Sequence, residues 1–342
     1  MESHLPLIWC GIIGTAVAMY VILDGFDLGI GTLSAFTKDH AERDQMIRSI
    51  APFWDGNETW LVFGGVGLFV AFPRAYAVVM PALYVPVIVM LLALVMRGVA
   101  FEFREIPRAK RFWEGAFAGG STLAGFCQGV ILGNLIGSIQ VENGVFAGGP
   151  FDWVTLFSIV CGLGVVFGYA LLGATWLVMK TSGRIAERAR DQSKILLIVV
   201  ILFMAIVSLW TPLIMPRIAE RWFSLPNVLY LWPIPLATAS VALWGWRSLA
   251  TGGELSPFLA SIMLFILGYL GLAVSTFPYL VPQSLTIWEA AAAPASQLFM
   301  LVGTLILLPL IFGYTGMIYW LFRGKAIAGE NNGGAQRGGR LP

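Results

Sequence analysis

Residues 78–101 read VVMPALYVPVIVMLLALVMRGVAF, and the first nineteen of them, Val78 to Met96, carry no charged side chain. A helix rises about 1.5 Å per residue, so this run covers the roughly 30 Å hydrocarbon core of a bilayer. Pro81 and Pro86 lie inside it. Within a bundle, neighbouring helices satisfy the carbonyls that proline frees. The run therefore reads as a transmembrane helix, and the chain around it must supply companions.

It does. Eight further segments meet the same length and apolarity test: 5–36, 56–72, 113–139, 152–180, 194–216, 228–249, 257–278 and 296–322. The segment 56–72 is short and glycine-rich (Gly64, Gly65, Gly67) and can extend backwards to Phe53. The composition agrees. Of 342 residues 58% are hydrophobic and only 12% charged, against about a quarter charged in a soluble domain. The expected fold is an all-α integral membrane protein of about nine spans. Residues 1–323 form one polytopic domain, and 324–342, rich in Gly, Asn and Arg, form a mobile tail. A net charge of +2 gives no reason to expect a nucleic-acid partner. Met1-Glu2-Ser3-His4 lacks a positive region, and the first apolar run is too long for a signal peptide, so it reads as a retained helix.

Lysine and arginine set the orientation. Eighteen of the 21 fall in the first, third, fifth and seventh connections and the tail; only Arg74, Arg217 and Arg221 lie on the other side. The positive-inside rule then puts the N-terminus outside and the C-terminus in the cytoplasm. Trp222, Trp232 and Trp288 near the outer ends fit an aromatic belt. The connections around 140–152 and 278–294 contain no Lys or Arg. They are expected to lie on the membrane surface or on another subunit.

Ionisable residues in or near a span are costly and therefore candidates for function. Three groups stand out, all toward the cytoplasmic side. In the first, Asp24-Gly-Phe-Asp27, the two carboxylates are three residues apart and share a helix face. They are either a functional pair or simply solvated or paired with loop arginines. The second is Phe53-Trp54-Asp55-Gly56-Asn57-Glu58-Thr59-Trp60. Here Asp55 suits an N-cap and Glu58 completes a capping-box pattern, yet capping does not explain Trp54, Asn57 or Trp60. A proton-transfer role for Asp55 is compatible with capping. The third is Arg97, Glu102, Arg104 and Glu105. Arg97 and Glu102 are five apart, which is poor for a direct pair, and a structural ion-pair network is expected. A hydrated acidic cluster of this kind can take up protons.

Other chemistry is sparse. The three cysteines, Cys10, Cys127 and Cys161, lie in apolar runs with no metal-binding spacing and read as packed thiols. The two histidines, His4 and His40, fall outside the spans, whereas haem takes His, Met, Cys or Tyr as axial ligands. No metal site and no catalytic residue are expected in this chain. A secondary transporter is the alternative reading, but transporter sites lie near the midplane on broken helices, and the acids here lie toward one face.

Read in order, Asp24-Gly-Phe-Asp27-Leu-Gly-Ile-Gly31, Ser49-Ile-Ala-Pro-Phe-Trp-Asp-Gly-Asn-Glu-Thr-Trp-Leu61, Arg97-Gly-Val-Ala-Phe-Glu-Phe-Arg104, Phe277-Pro-Tyr-Leu-Val-Pro282 and Ser284-Leu-Thr-Ile-Trp288 resemble subunit II of cytochrome bd-type quinol oxidases. The short length and the run Ile311 to Lys325 resemble the cyanide-insensitive branch. The resemblance implies two four-helix bundles plus one peripheral helix in a bacterial inner membrane, with the N-terminus periplasmic. It implies a partner, subunit I, that carries two b-type haems, one d-type haem and the quinol site, often with a small single-helix subunit. The complex would oxidise quinol and reduce dioxygen to water. This chain would support subunit I and contribute to proton uptake, with Asp55 first and Glu102 second by motif position. Family members often have Asp at the position of Glu102. A structural quinone or a membrane lipid in a cleft is also part of that expectation.

Overall fold

The structure is a computed structural model and describes residues 4–104, 106–137 and 139–326. In chain order its elements are α1 (Leu5–Ser34), α2 (His40–Arg48), α3 (Trp54–Ala71), α4 (Pro73–Phe103), α5 (Lys110–Ile136), β1 (Val141–Glu142), β2 (Val145–Phe146), α6 (Leu156–Lys180) and α7 (Gly183–Ile214). There follow α8 (Pro216–Phe223), α9 (Asn227–Leu231), α10 (Pro233–Ala250), α11 (Ser256–Thr276), β3 (Tyr279–Val281), β4 (Leu285–Thr286), α12 (Ile287–Ala290) and α13 (Pro294–Leu321). Eight of the described helices are long and apolar enough to cross a membrane: α1, α4, α5, α6, α7, the continuous α9–α10 stretch, α11 and α13. The expected second span is α3. It has 18 residues, about 27 Å of helix, and its polar opening (Asp55, Asn57, Glu58) lowers its apolarity.

Helix ends differ from the expected ones for local reasons. α4 begins at Pro73, because proline suits the first helical turn. α7 begins at Gly183, so the basic stretch Arg184 to Lys194 is helical too. α3 begins at Trp54 with Phe53 at the cap position and no side-chain cap. Asp55 therefore sits in the first turn rather than at the cap, and the expected capping box is not formed. Its charge still suits the positive end of the helix.

The two connections without Lys or Arg fold on the chain itself. The fourth makes the β1–β2 hairpin, turning at Asn143 (φ 50°) and Gly144 (φ 79°). The eighth makes the β3–β4 hairpin and α12, where Thr286 and Glu289 form a capping box. Val281, Ile287 and Ala290 are buried with Phe72 and Ala75 at the α3–α4 turn.

α1 packs on α3 and α5, and α5 on α4; α6 packs on α7 and α11, and α10 on α11 and α7. α13 runs beside α1 and α3, burying only Gln297 and Thr304 among the described residues. The arrangement is four, four and one. α1 and α5 both pack on α6 at the seam between the two sets, and there backbones touch. A Cβ on Gly29 would lie 1.8 Å from the Tyr169 carbonyl oxygen, and one on Gly173 would lie 2.6 Å from the Ile30 nitrogen. Small residues permit such contact where lipid offers no hydrophobic drive. Near the seam Phe26 stacks on Trp176 at 4.1 Å, with Phe258 and Tyr319 edge-on.

Beyond α13 the chain is tied down. Lys180 Nζ donates to the carbonyls of Phe322 and Gly324 (2.5 and 2.9 Å), and Gln45 Nε2 to that of Ala326 (2.9 Å). Residues 324–326, expected within a mobile tail, are thus held; 327–342 lie outside the described residues.

Candidate functional site

Three helices meet on one guanidinium. Arg97 of α4 is only 2% exposed. Its Nη1 donates to Asp24 Oδ1 of α1 at 2.7 Å, and its Nη2 to Glu58 Oε2 of α3 at 3.0 Å. The planar fork of arginine lets one side chain hold two carboxylates, which a lysine point charge does less well. The face of Trp54 covers the guanidinium, with Cζ 5.7 Å from the ring centroid, and Trp54 itself stacks on Phe101 at 4.9 Å. This explains the tryptophan that capping left unexplained. An unpaired charge at such a place costs several kcal/mol, so the fully buried Arg97 and Asp24 depend on each other most, while Glu58 is 27% exposed.

Asp27 lies beside this trio and is fully buried. Its Oδ2 accepts from Asn57 Nδ2 at 2.8 Å, Asn57 also donates to the Leu23 carbonyl at 3.2 Å, and Tyr319 of α13 donates to Asn57 Oδ1 at 3.0 Å. Two carboxyl groups, Asp24 and Glu58, therefore share one guanidinium, and a third, Asp27, is held beside them by Asn57. Asp24 Oδ2, Asp27 Oδ1 and Arg97 Nε have no protein partner. Asp24 and Asp27 are thus neither solvated nor paired with loop arginines; Asp24 is paired with an arginine from within a span.

Exposure falls from the start of α3 inward to α1. Asp55 is exposed, the Glu58 side chain is 27% exposed, and Asp24 beyond it is fully buried. Asp55 and Glu58 are three residues apart, so they share a helix face. Trp60 is buried against Phe312 (5.0 Å), and its indole nitrogen lacks a protein partner.

The third predicted group divides. Arg97 belongs to the cluster. Arg104 Nη1 donates to Asp44 Oδ1 of α2 at 3.0 Å, and Lys110 binds the other oxygen at 2.7 Å. Glu102 is exposed and makes no ion pair among the described residues, and Glu105 lies outside them. Among the described residues, Arg97 and Arg104 thus take carboxylate partners from other helices.

Several polar residues were not singled out from sequence. Tyr319 is one. Another set is Tyr20, Gln128 and Tyr169: Gln128 Nε2 donates to Tyr20 Oη at 2.7 Å, and Tyr169 Oη to Gln128 Oε1 at 2.5 Å. A glutamine in an apolar span, and a tyrosine four residues before Asp24, were the available signals. Glu114 is a third, buried on α5 and held by Arg43 and His40.

Neither histidine is placed to hold a haem. His4 sits at the exposed start of α1, and His40 is half-exposed with Nδ1 3.0 Å from Glu114. Neither occupies the buried position of an axial ligand. Among the described residues no group of His, Cys, Asp and Glu is gathered to hold a metal.

The chain as a whole is similar to proteins of one kind. The cytochrome bd-I ubiquinol oxidase subunit 2 of Escherichia coli (strain K12) is 28% identical over 359 residues, spanning 94% of this chain and 95% of that protein. The cytochrome bd ubiquinol oxidase subunit 2 of Bacillus subtilis (strain 168) is 30% identical, spanning 94% and 96%. A chain in the structure of bd oxidase from Geobacillus thermodenitrificans shares the fold at a TM-score of 0.79 and 18% identity, covering 93% of this chain and 98% of that one. A family model described as cytochrome bd terminal oxidase subunit II matches residues 5–322. Eight membrane-spanning helices among the described residues, a buried carboxylate cluster and this end-to-end match lead to one conclusion: the chain belongs to the cytochrome bd terminal oxidase subunit II family.

Proposed function

We propose that the chain works as subunit II of a quinol:dioxygen oxidoreductase, in which it supports a haem-bearing subunit I and carries protons from the cytoplasm toward it. The full-length similarity to ubiquinol oxidase subunits supports the first part and gives no support to a transporter. In this reading subunit I holds two b-type haems and one d-type haem, and supplies the redox chemistry. A small single-helix subunit, quinol and structural lipid or quinone complete the assembly. The N-terminus faces the periplasm and the C-terminus the cytoplasm, as the basic connections require.

The graded exposure of the carboxyl cluster carries the second part. Reduction of dioxygen to two waters consumes four protons with four electrons. Asp55 stands at the surface as entry, Glu58 next, and Asp24 and Asp27 inside. Arg97 does not release a proton; its work is to hold the carboxyls in place. Glu102 stands apart from this line, which favours Asp55 over it.

The test is oxygen consumption by the assembled complex. Asp55→Asn and Glu58→Gln are expected to slow turnover while haem content stays at the wild-type level. Asp55 sits in the first turn of α3 and makes no cap, and its charge there contributes about 0.3–1 kcal/mol, so a purely structural Asp55 would leave turnover in the assembled complex unchanged. Normal turnover in both assembled variants would refute the relay.

A further inference from the structure

A cleft of about 910 Å³ opens between α1–α2, α5 and α6. Its inner wall is apolar: Leu123, Phe126, Leu163 and Val166 line it. The walls are also smooth, because a Cβ at Gly115 or Gly119 of α5 would meet nothing within 4 Å. Its mouth is charged, with Lys38, Arg43, Arg111, His40 and Glu114. Glu114 is neutralised there, since Arg43 and His40 both bind it. Lys38 and Arg111 are exposed and have no partner among the described residues.

Arg111 has a second peculiarity. It lies in the first turn of α5, which has no acidic residue and no side-chain cap. That end of a helix dipole favours anions. A cation placed there without a counter-charge marks a position that an anion would relieve. On the other side of α5 a second groove of about 660 Å³, against Leu92 and Met96 of α4, shares Arg111, Gly115 and Leu123 with the first. Two apolar channels thus descend from one basic mouth.

We infer that this mouth binds the phosphate of an anionic glycerophospholipid from the surrounding bilayer, on Lys38 and Arg111, with the acyl chains lying along α5. Basic pockets between spans are suited to such headgroups, and each cation near the surface contributes about fivefold to binding. A quinone, whose head is neutral, gains nothing from these two charges.

The experiment uses the purified, delipidated oxidase complex, titrated with phosphatidylglycerol and read by native mass spectrometry. The double variant Lys38→Gln/Arg111→Gln is expected to bind roughly 25-fold more weakly. Gly119→Leu fills the cleft with every charge intact and is expected to abolish binding; the open space at this position keeps that variant folded. Arg247→Gln removes a cation elsewhere and is expected to bind as wild type. Equal affinity in the double variant or in Gly119→Leu would overturn the site, as would phosphatidylethanolamine or a quinone binding as tightly as phosphatidylglycerol.

Discussion

The helices α1, α3, α4 and α5 bury Asp24, Asp27, Arg97 and Glu114, whereas α7, α10 and α11 bury only hydroxyl groups among their polar residues: Ser193, Thr211, Ser248, Ser261 and Ser275. The two regions solve the same problem differently. Ser193 and Thr211 return their hydroxyls to the carbonyl four residues earlier (2.7 Å each). Such bonds are satisfied within one helix and say nothing about its neighbours. The Asp24–Arg97–Glu58 trio is satisfied only when three helices arrive in register. Charge therefore specifies assembly in one region, while apolar packing does so in the other.

That contrast can be broken most directly at Arg97. Arg97→Leu leaves buried carboxylates uncompensated and is expected to destabilise the protein by about 3–5 kcal/mol. Loss of haem-bearing complex on purification, or a lowered Tm, would show it; Asp24→Asn added to Arg97→Leu should restore part of the loss. An unaltered Tm in Arg97→Leu would mean that the trio does not hold the helices. Tyr319→Phe removes one hydrogen bond to Asn57 and should cost about 1 kcal/mol. In the other region Ser193→Ala removes only a local bond, and a shift within about 0.5 kcal/mol is expected. If Ser193→Ala costs more than Tyr319→Phe, the distinction between the regions fails.

The smallest effect concerns a surface pair that joins the end of the described chain to the α10–α11 turn. Lys325 Nζ lies 2.8 Å from Glu254 Oε1, and this hydrogen bond and charge hold the Glu254 carboxyl below the usual glutamate range. A depressed carboxylate contributes stability above its unfolded value and loses it as pH falls through its folded one. Acidification through that window should speed hydrogen exchange around Ala326. The Glu254→Gln variant should exchange at a rate nearly independent of pH there, once intrinsic exchange is subtracted.

Hydropathy is a local property, so the long apolar runs were legible, and so was the rarity of charge within them. Asp24, Asp27, Asn57, Glu58 and Arg97 could all be named as candidates. Their pairing could not. Arg97 was set beside Glu102, five residues on, while its partners stand 73 and 39 residues away in sequence. Asp55 and Glu58 carry a local capping pattern, yet the helix starts one residue before Asp55, and Glu58 reaches for Arg97 instead. The hairpin at Asn143-Gly144 did leave a signal, the residue pair suited to a tight turn, obscured by strands of two residues each. Tyr319 left none, because a tyrosine near the end of a span reads equally well as an interfacial anchor.

The glycine seam between α1 and α6 has a mechanical consequence. Alternating access requires one bundle to rock against the other about a fixed site. With Gly29 against the Tyr169 carbonyl and Gly173 against the Ile30 nitrogen, the two sets of helices are keyed together backbone to backbone. Any sliding or tilting at that line drives main-chain atoms into one another. A solute carried by a moving gate needs such sliding, whereas the proton relay proposed above, between fixed side chains, does not.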